Sequence, residues 1–360
     1  MTLVLTNEDV EALLTPRACI EPLEQAYREF ALGQAANRAR THTYFPVESR
    51  AHPRFHYRFK SQEGGSVSAG VWALRIASDM AGVVDLPGGV QRRKLLPVAP
   101  GDKYCGLILL FSLESIAPIA IVHDSVMQKM RVAATTAIGI RELSRPDSRV
   151  LALFGSGWQA GAHLDTVLAV RPSLERVRVF SPTPEHRRRF AAEMSRKYEI
   201  DVVAVESPAE AVRGADIVLA ATAAMTPVFD GRLVEPGQHV STIVATDKDA
   251  QRRELDDATV ERADLVVVLS RESVEYDDQP QIMSPVRKGT LAWEQVYELG
   301  EVLLGQAPTR TSAEQVTLFD NNVGMGLQFA ACGAKLLELA RARGAGQEIP
   351  TDLFLETTHP

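Results

Sequence analysis

The stretch that decides the fold is residues 149–162, which read RVLALFGSGWQAGA. It opens with the apolar run 150–154, whose length and composition predict a strand buried on both faces of a parallel sheet. A G-x-G-x-x-A turn follows at 155–160, and residues 159–170 are compatible with a helix. A strand, a glycine turn and a helix in this order are typical of the loop that binds the pyrophosphate of a dinucleotide.

The small residues of this turn have separate roles in that interpretation. Gly155 allows the tight turn, Gly157 leaves room for a pyrophosphate, and Ala160 lets the helix pack close to the strand. The N-terminus of the helix then offers unpaired N–H groups and a partial positive charge to the phosphates. The predicted cofactor contacts are Gly155, Ser156, Gly157, Gln159, Ala160, Ser181, Thr183, Arg187, Thr222 and Val244.

Four further apolar stretches predict the rest of a sheet. They are residues 176–180, 215–222, 239–244 and 263–269, with segments between them that are compatible with helices. This alternation predicts an α/β fold with a Rossmann-type, doubly wound parallel sheet. The strand at 215–222 ends in small residues, as expected for a wall beneath a nicotinamide ring.

The residues after the second predicted strand bear on the choice of cofactor. An acidic residue at this point would indicate NAD, but the sequence reads Ser181-Pro182-Thr183 and then carries the basic cluster 186–189. This cluster is either a pocket for the 2′-phosphate of NADP or the solvated face of a helix. We expect NAD(P) as the cofactor, with NADP(H) slightly favoured.

The composition argues against several classes of protein. A chain of 360 residues suits two domains, and 45% hydrophobic residues are enough for sizeable cores. The net charge of -7 argues against a nucleic-acid partner or an anionic membrane. The three cysteines are scattered without a C-x-x-C motif, which predicts reduced thiols, a cytoplasmic location and no metal site. We recognise no signal peptide and no apolar run of bilayer-spanning length, so no membrane partner is expected.

The chain before the glycine turn carries basic residues on predicted strands. Residues 37–45 and 55–60 read as strands, and the second alternates aromatic with basic residues. Gly64-Gly65 predicts a turn, and Arg75 interrupts the apolar run of a third strand at 71–76. A buried charge is costly unless it is paired or faces a cavity. Arg75 is therefore either part of a structural ion pair or a residue that faces a ligand.

Two further segments precede the glycine turn. Residues 82–100 are rich in turn-forming and basic residues, which predicts a loop. The segment from residue 128 to Leu143 predicts a helix, in which Arg131 stands where an alanine-rich face begins.

Several segments, taken together, resemble one known family. They are MRVAATTA (130–137), LFGSGWQAGAHL (153–164), ADIVLAATAAMTPVFDG (215–231), VEPGQHVSTI (234–243) and QVTLFDNNVGMGLQFAACGAKLLELARARGAGQEI (315–349). In this order they resemble the ornithine cyclodeaminase/μ-crystallin family. The resemblance implies an NAD(P)-binding Rossmann domain at 129–315. It also implies an α+β substrate-binding and dimerisation domain built from both chain ends, 1–128 with 316–360, and hence a homodimer.

The resemblance also implies the substrate ligands. The family acts on α-amino or α-imino acids with NAD(P) and holds the substrate carboxylate with two arginines and a lysine. Arg131 and Arg40 match the two arginines, whereas Arg75 stands at the lysine position. An arginine can still bind a carboxylate through two parallel hydrogen bonds. Lys60 is a further candidate on local composition.

The family's catalytic aspartate follows the fourth strand of the Rossmann sheet, where this sequence carries extra residues. Strict counting places Thr246 at that position, and Asp247, one residue later, is our candidate for the catalytic acid. A turn or cap role for Asp247 is the alternative.

These observations predict an NAD(P)-dependent oxidoreductase that acts on the C–N bond of an α-amino or α-imino acid. Its chemistry would be that of an imine or ketimine reductase or of an amino-acid dehydrogenase. One alternative is a true ornithine cyclodeaminase, which forms proline with loss of ammonia, although the departures at Arg75 and Asp247 weigh against it. A μ-crystallin-like, NADPH-dependent ligand-binding protein and a methyltransferase are the others.

Overall fold

The computed structural model describes residues 1–49, 53–85, 91–246 and 251–358. The chain divides into two compact units. Met1–Asp85, Arg92–Arg131 and Gly324–Pro360 contribute to the first, and Val132–Val323 forms most of the second. Within the described residues, no helix combines the length and the apolar character needed to cross a membrane.

The elements of the described residues follow in chain order. The strands are β1 (Thr2–Leu5), β2 (Ala35–Glu48), β3 (Phe55–Ser66), β4 (Val71–Asp85), β5 (Gln91–Leu96), β6 (Cys105–Ser112), β7 (Pro118–His123), β8 (Val150–Phe154), β9 (Arg176–Phe180), β10 (Asp201–Ala204), β11 (Ile217–Ala220), β12 (His239–Thr242), β13 (Leu265–Val268), β14 (Val296–Glu298), β15 (Thr317–Asp320) and β16 (Gln347–Ile349). The helices are α1 (Asn7–Leu13), α2 (Ile20–Ala31), α3 (Ser125–Leu143), α4 (Trp158–Val170), α5 (Pro184–Tyr198), α6 (Pro208–Val212), α7 (Asp257–Glu261), α8 (Arg271–Tyr276), α9 (Pro280–Lys288), α10 (Leu299–Leu303) and α11 (Gly326–Arg343).

The first unit is built on a mixed sheet. Its strand order is β16-β1-β7-β6-β4-β3-β2, and β5 pairs with β4. The pairing of β1 with β7 is parallel, whereas the other neighbours along this order are antiparallel. The helix α11 packs against β3 and β4 and buries Leu327, Phe329 and Leu336 completely. Burial of these side chains stabilises the helix on the sheet.

Two predictions for the first unit are wrong. Gly64 and Gly65 lie inside β3, and the turn falls at residues 67–70 instead. A Cβ atom on Gly64 would lie 2.4 Å from the backbone nitrogen of Leu327, so this glycine allows α11 to approach the strand closely. Much of the loop predicted at 82–100 belongs to β4 and β5, because strand pairing outweighs a turn-rich composition. Residues 86–90 of this segment lie outside the described residues.

The second unit confirms the predicted Rossmann-type fold. Its sheet has the order β10-β9-β8-β11-β12-β15-β13-β14, and every neighbouring pair is parallel. The five predicted strands correspond to β8, β9, β11, β12 and β13. Sequence analysis missed β10, β14 and β15, which are only three or four residues long. The last of these, Thr317–Asp320, was assigned to the first domain but lies between β12 and β13.

Candidate active site

The glycine turn lies at the carboxyl end of β8, where the strand order of the second sheet reverses. From β8 the chain continues through β9 and β10 on one side and later through β11 and β12 on the other. Open parallel sheets bind ligands in the crevice at such a reversal. Gly155 has a φ of +113°, and a Cβ atom there would lie 2.5 Å from the carbonyl oxygen of Ala221. Glycine is therefore required at this position.

The space beside Gly157 suits a pyrophosphate. A Cβ atom on this residue would meet no heavy atom within 4 Å. Gly157 precedes α4 and makes no side-chain capping hydrogen bond, and a helix N-terminus carries a partial positive charge that favours an anion. Ala160 is completely buried, which agrees with close packing of the helix on the sheet. These features fit the pyrophosphate of a nicotinamide dinucleotide.

The basic cluster after β9 is partly neutralised. Arg187 is buried, donates a hydrogen bond of 3.1 Å from Nη1 to the carbonyl oxygen of Ser181, and forms an ion pair with Glu206. Arg188 also contacts Glu206, at 3.2 Å. Two arginines thus share one exposed carboxylate, which reduces the positive charge offered to a 2′-phosphate. The hydroxyl oxygens of Ser156 and Ser181 lie 2.9 Å apart, so the glycine turn also contacts the end of β9.

A buried carboxylate that sequence analysis missed joins the ends of β11 and β12. The Oε1 atom of Glu254 accepts hydrogen bonds of 2.6 Å from both the backbone N–H and the hydroxyl of Thr222. Its Oε2 atom accepts a hydrogen bond of 2.6 Å from the hydroxyl of Thr242. Glu254 therefore fixes Thr222, a predicted cofactor contact. The other predicted contact on this side, Val244, is buried.

A second missed carboxyl group, Asp320, ends β15. Its Oδ2 atom accepts a hydrogen bond of 2.7 Å from Nε2 of Gln281. Burial, together with the negative charge of Glu254, raises the pKa of Asp320 to about 8, so this group is protonated at neutral pH. Its only sequence signal is an acidic residue directly after an apolar run.

The candidate catalytic residue Asp247 lies outside the described residues. Its neighbour Thr246 is buried, and the Thr246 hydroxyl accepts a hydrogen bond of 2.8 Å from the backbone N–H of Arg252. In the described ranges, no group of three or more His, Cys, Asp or Glu residues is arranged to hold a metal ion.

The first unit brings the four predicted substrate ligands together. In the register of β3 and β4, Lys60 lies opposite Ala77, and Gln62 lies opposite Arg75. Arg40 lies at a bulge of β2 beside this part of β3, and such bulges redirect side chains. Loss of hydration and the nearby charges of Arg75, Arg58 and Arg40 lower the pKa of Lys60 well below its usual value.

Arg131 reaches this cluster from α3. Its Nη1 atom donates a hydrogen bond of 2.8 Å to Oε1 of Gln328, and Nε2 of Gln328 donates one of 2.8 Å to the hydroxyl of Tyr27. The guanidinium carbons of Arg131 and Arg75 lie 5.5 Å and 5.8 Å from the centroid of the same ring, Phe329. Burial and the charge of Arg75 lower the pKa of Arg131 to about 9.

Arg75 forms an ion pair, which was one of the two interpretations of its position in the sequence. It forms an ion pair with Asp124 through a hydrogen bond of 2.6 Å from Nε to Oδ2. Its Nη1 atom also donates a hydrogen bond of 3.1 Å to Oε1 of Gln62. The residue is thus paired and also part of the cluster beside Phe329.

A neighbouring ion pair was missed. Arg58 donates hydrogen bonds of 3.0 Å from Nε and 2.8 Å from Nη2 to the two carboxylate oxygens of Asp79 on β4. Both side chains are buried. The alternation of aromatic and basic residues in β3 was the signal that could have identified Arg58, since it puts Arg58 and Lys60 on the same face.

Comparison with known proteins identifies the family. Residues 98–339, more than half of the chain, match the model of the ornithine cyclodeaminase/mu-crystallin family. This chain belongs to that family.

Similar proteins extend along nearly the whole chain. The iminosuccinate reductase of Paracoccus denitrificans is 28% identical over 355 residues, which cover 96% of this chain and 99% of the relative. The structure of Thermococcus litoralis Delta(1)-pyrroline-2-carboxylate reductase in complex with NADH and L-proline has a TM-score of 0.80 and 27% identity, covering 97% of this chain and 100% of that one. An archaeal alanine dehydrogenase dimer with bound NAD has a TM-score of 0.79 and 25% identity, covering 97% and 99%. The predicted family and fold class are confirmed.

Proposed function

We propose that this protein is a nicotinamide-dependent reductase that acts on the C=N bond of an α-imino acid. The named relatives agree with this class of reaction. The observation that carries the proposal is the pair of buried guanidinium groups, Arg131 and Arg75, beside Phe329. Clustered, desolvated cations are costly until an anion neutralises them, and the α-carboxylate of an imino acid is such an anion.

Three arginines bind the α-carboxylate in this proposal. Gln328 orients Arg131, while Asp124 and Gln62 orient Arg75. Arg40 completes the set from the bulge in β2. Because these guanidinium groups are held before the substrate arrives, little entropy is lost when the two-pronged hydrogen bonds form.

The second unit holds the cofactor in this proposal. Gly155, Ser156, Gly157, Gln159 and Ala160 surround the pyrophosphate, Ser181, Thr183 and Arg187 the adenosine ribose, and Thr222 and Val244 the nicotinamide. The bound nicotinamide supplies the hydride, which is added to the imine carbon.

We infer a slight preference for NADP(H), because no carboxylate directly follows β9 and Arg188 and Arg189 are exposed at the start of α5.

A proton must reach the imine nitrogen as the hydride reaches carbon. A protonated imine accepts hydride more readily than a neutral one, so an acid is needed beside the nitrogen. Asp247 is our candidate, by its place after β12. The balanced reaction consumes one hydride and one proton and leaves an amino acid and the oxidised cofactor.

Cofactor oxidation tests the proposal. NADH and NADPH are each offered with cyclic imino acids and with α-keto acids plus ammonia or methylamine, and absorbance at the nicotinamide band is followed. We expect turnover with at least one imine. Labelled ornithine is the control for the cyclodeaminase alternative, and we expect no ammonia release from it. Cofactor binding without turnover of any imine would contradict the proposal and favour the ligand-binding alternative.

We infer that the protein forms a homodimer in a cytoplasmic location. The face of β2 and β3 opposite Lys60 carries two exposed apolar side chains, Phe45 (52% exposed) and Phe59 (38% exposed). Exposed apolar patches of this kind are typical of interfaces. Light scattering should report twice the chain mass. A Phe45→Ser variant should dissociate, whereas Ile116→Ser at an exposed turn should not.

A further inference from the structure

One face of β3 carries a row of polar side chains that binding of a single carboxylate does not explain. Alternate residues of a strand share a face, so Arg58, Lys60 and Gln62 lie on one side of β3. Gln62 contacts Arg75, and Arg58 pairs with Asp79. Lys60 stands between these two contacts.

Neither residue opposite Lys60 brings a negative charge. Lys60 pairs in register with Ala77 on β4 and with His42 on β2, whereas the adjacent positions of the same row, Arg58 and Gln62, face Asp79 and Arg75 on β4. The three nearby arginines disfavour a further cation at Lys60, and Asp79 opposes them only in part. An ammonium group in such a place is stabilised when a ligand supplies a negative charge.

The cluster as a whole favours a ligand with two negative charges. Two ion pairs, Arg58 with Asp79 and Arg75 with Asp124, hold two of the cations. Burial and neighbouring positive charge still disfavour the charged forms of both Lys60 and Arg131. A single α-carboxylate beside Arg131 and Arg75 offsets one charge, and the positive charge at the Lys60 end of the row is not offset by it.

We propose that the substrate of this site is an α-imino dicarboxylic acid, and that Lys60, supported by the Arg58–Asp79 pair, binds its second carboxylate. This inference rests on the proposed function, because it assigns the first carboxylate to Arg131 and Arg75. Lys60 and Arg75 are diagonal neighbours on adjacent strands, with backbones roughly 7 Å apart. One small, flexible diacid can reach both residues. Lys60 is thereby reassigned from the α-carboxylate to the substrate side chain.

Matched substrates test the proposal. Pyruvate and oxaloacetate, each with excess ammonia, supply a monocarboxylic and a dicarboxylic imine that differ by one carboxylate. We expect the wild-type protein to prefer the dicarboxylic imine by about tenfold or more in kcat/KM. Lys60→Met should lower kcat/KM for the dicarboxylic imine by at least about tenfold more than kcat/KM for the monocarboxylic imine, and so remove this preference. Equal activity on both imines in the wild-type protein would overturn the proposal.

Two further variants keep the test decisive if Lys60→Met folds poorly. Lys60→Arg retains the positive charge and should keep the preference for the dicarboxylic imine. Lys103→Met, which removes an exposed lysine of the same unit, should behave as the wild-type protein. A loss of preference in Lys103→Met, or an equal loss on both imines in Lys60→Met, would contradict a specific role for Lys60.

A binding measurement separates this inference from the proposed function. Succinate and propionate, which cannot be reduced, are added to the protein with oxidised cofactor, and the shift in Tm is recorded. Succinate should raise Tm more than propionate, and Lys60→Met should abolish the difference. Stabilisation by succinate without reduction of any imine would contradict the reductase proposal alone. Reduction of imines without any preference for diacids would contradict this inference alone.

Discussion

The proposed cofactor region (residues 150–170) and the arginine cluster (Arg40, Lys60, Arg75 and Arg131) are built from the sequence in different ways. The cofactor region is one continuous stretch, in which an apolar strand, a glycine turn and a helix follow each other. The ligands proposed there are largely backbone N–H groups, so the sequence pattern itself marks the proposed site. The cluster is gathered from β2, β3, β4, α3 and α11, and the ligands proposed there are side chains. A site of this second kind depends on strand register and tertiary contacts.

This difference predicts which kind of substitution damages each region. Backbone geometry controls the cofactor region, so we expect substitution of a glycine to damage folding and cofactor binding together. Charge controls the cluster, so we expect neutralisation of an arginine to damage substrate binding while the fold persists. The four predictions below test this contrast, from the largest effect to the smallest.

Replacing Arg131 should separate substrate from cofactor. Arg131→Met removes the buried charge that is proposed to bind the substrate carboxylate, and such losses cost roughly 2–5 kcal/mol, or about 30-fold or more in kcat/KM. The cofactor Kd should stay unchanged, because the predicted cofactor ligands belong to the second unit. Fluorescence titration and steady-state rates measure the two effects.

An exposed arginine supplies the matched control for this variant. Arg341→Met on α11 should alter neither quantity. Normal turnover by Arg131→Met would show that Arg131 does not bind the substrate, and it would contradict the proposed difference between the two regions.

Replacing Gly155 should damage both the fold and cofactor binding. An alanine here combines a φ of +113° with a Cβ atom 2.5 Å from the Ala221 oxygen, so Gly155→Ala should lower the free energy of unfolding by about 2–3 kcal/mol. Gly33→Ala is the control, because Gly33 has a φ of +71° and open space around it. Its cost should be only about 1 kcal/mol. Urea unfolding compares them, and equal costs would show that the contact with Ala221 is unimportant.

The raised pKa of Asp320 should make the free energy of unfolding depend on pH. Its folded pKa of about 8 lies above the ordinary value of 3.8, so the folded state binds a proton that the unfolded state releases. The contribution of Asp320 to stability therefore falls as pH rises from about 4 to about 8. Asp320→Asn mimics the protonated form and should be more stable than the wild-type protein at pH 8 by at least about 1 kcal/mol, but not at pH 4.

Exposed Asp147 provides the comparison for that measurement. Asp147→Asn should show no such pH-dependent difference in urea unfolding between pH 4 and pH 8. A stability difference for Asp320→Asn that is the same at both pH values would contradict a protonated Asp320.

The smallest effect concerns the choice of dinucleotide. Glu206 pairs with Arg187 and Arg188, so Glu206→Gln should free positive charge for a 2′-phosphate. The ratio of kcat/KM for NADPH over NADH should rise by roughly threefold to tenfold, as expected for partly exposed charges. Glu193→Gln, at an exposed position on α5, the helix that carries both arginines, should leave the ratio unchanged. A ratio that does not rise would mean that the basic cluster only faces solvent.

The same contrast explains what the sequence could predict. Largely buried strands such as β8 and β11 stand out as apolar runs, and the glycine turn is local, so both were predicted correctly. The strands β10, β14 and β15 each begin or end in an acidic residue, so they lack the continuous apolar run that marks β11. Gly64 looked like a turn because only tertiary structure reveals that a helix approaches the strand there.

Charged partners were harder to predict than charged residues. Arg75 was recognised because it interrupts an apolar run, but its partner Asp124 comes from the end of another strand. Arg58 and Asp79 meet through the register of two strands, and register depends on the whole sheet. Glu254 and Asp320 carry no local motif, since their role depends on threonine and glutamine side chains from other elements.

Transfer of deuterium from labelled cofactor tests the central claim most directly. NADH and NADPH that carry deuterium at both C4 positions of the nicotinamide are each incubated with the protein and with the imines of pyruvate and oxaloacetate, and the amino-acid product is examined by mass spectrometry and NMR. The account predicts one deuterium at the α-carbon of the amino acid and an equal amount of oxidised cofactor. Bound cofactor that transfers no deuterium to any α-carbon would contradict it.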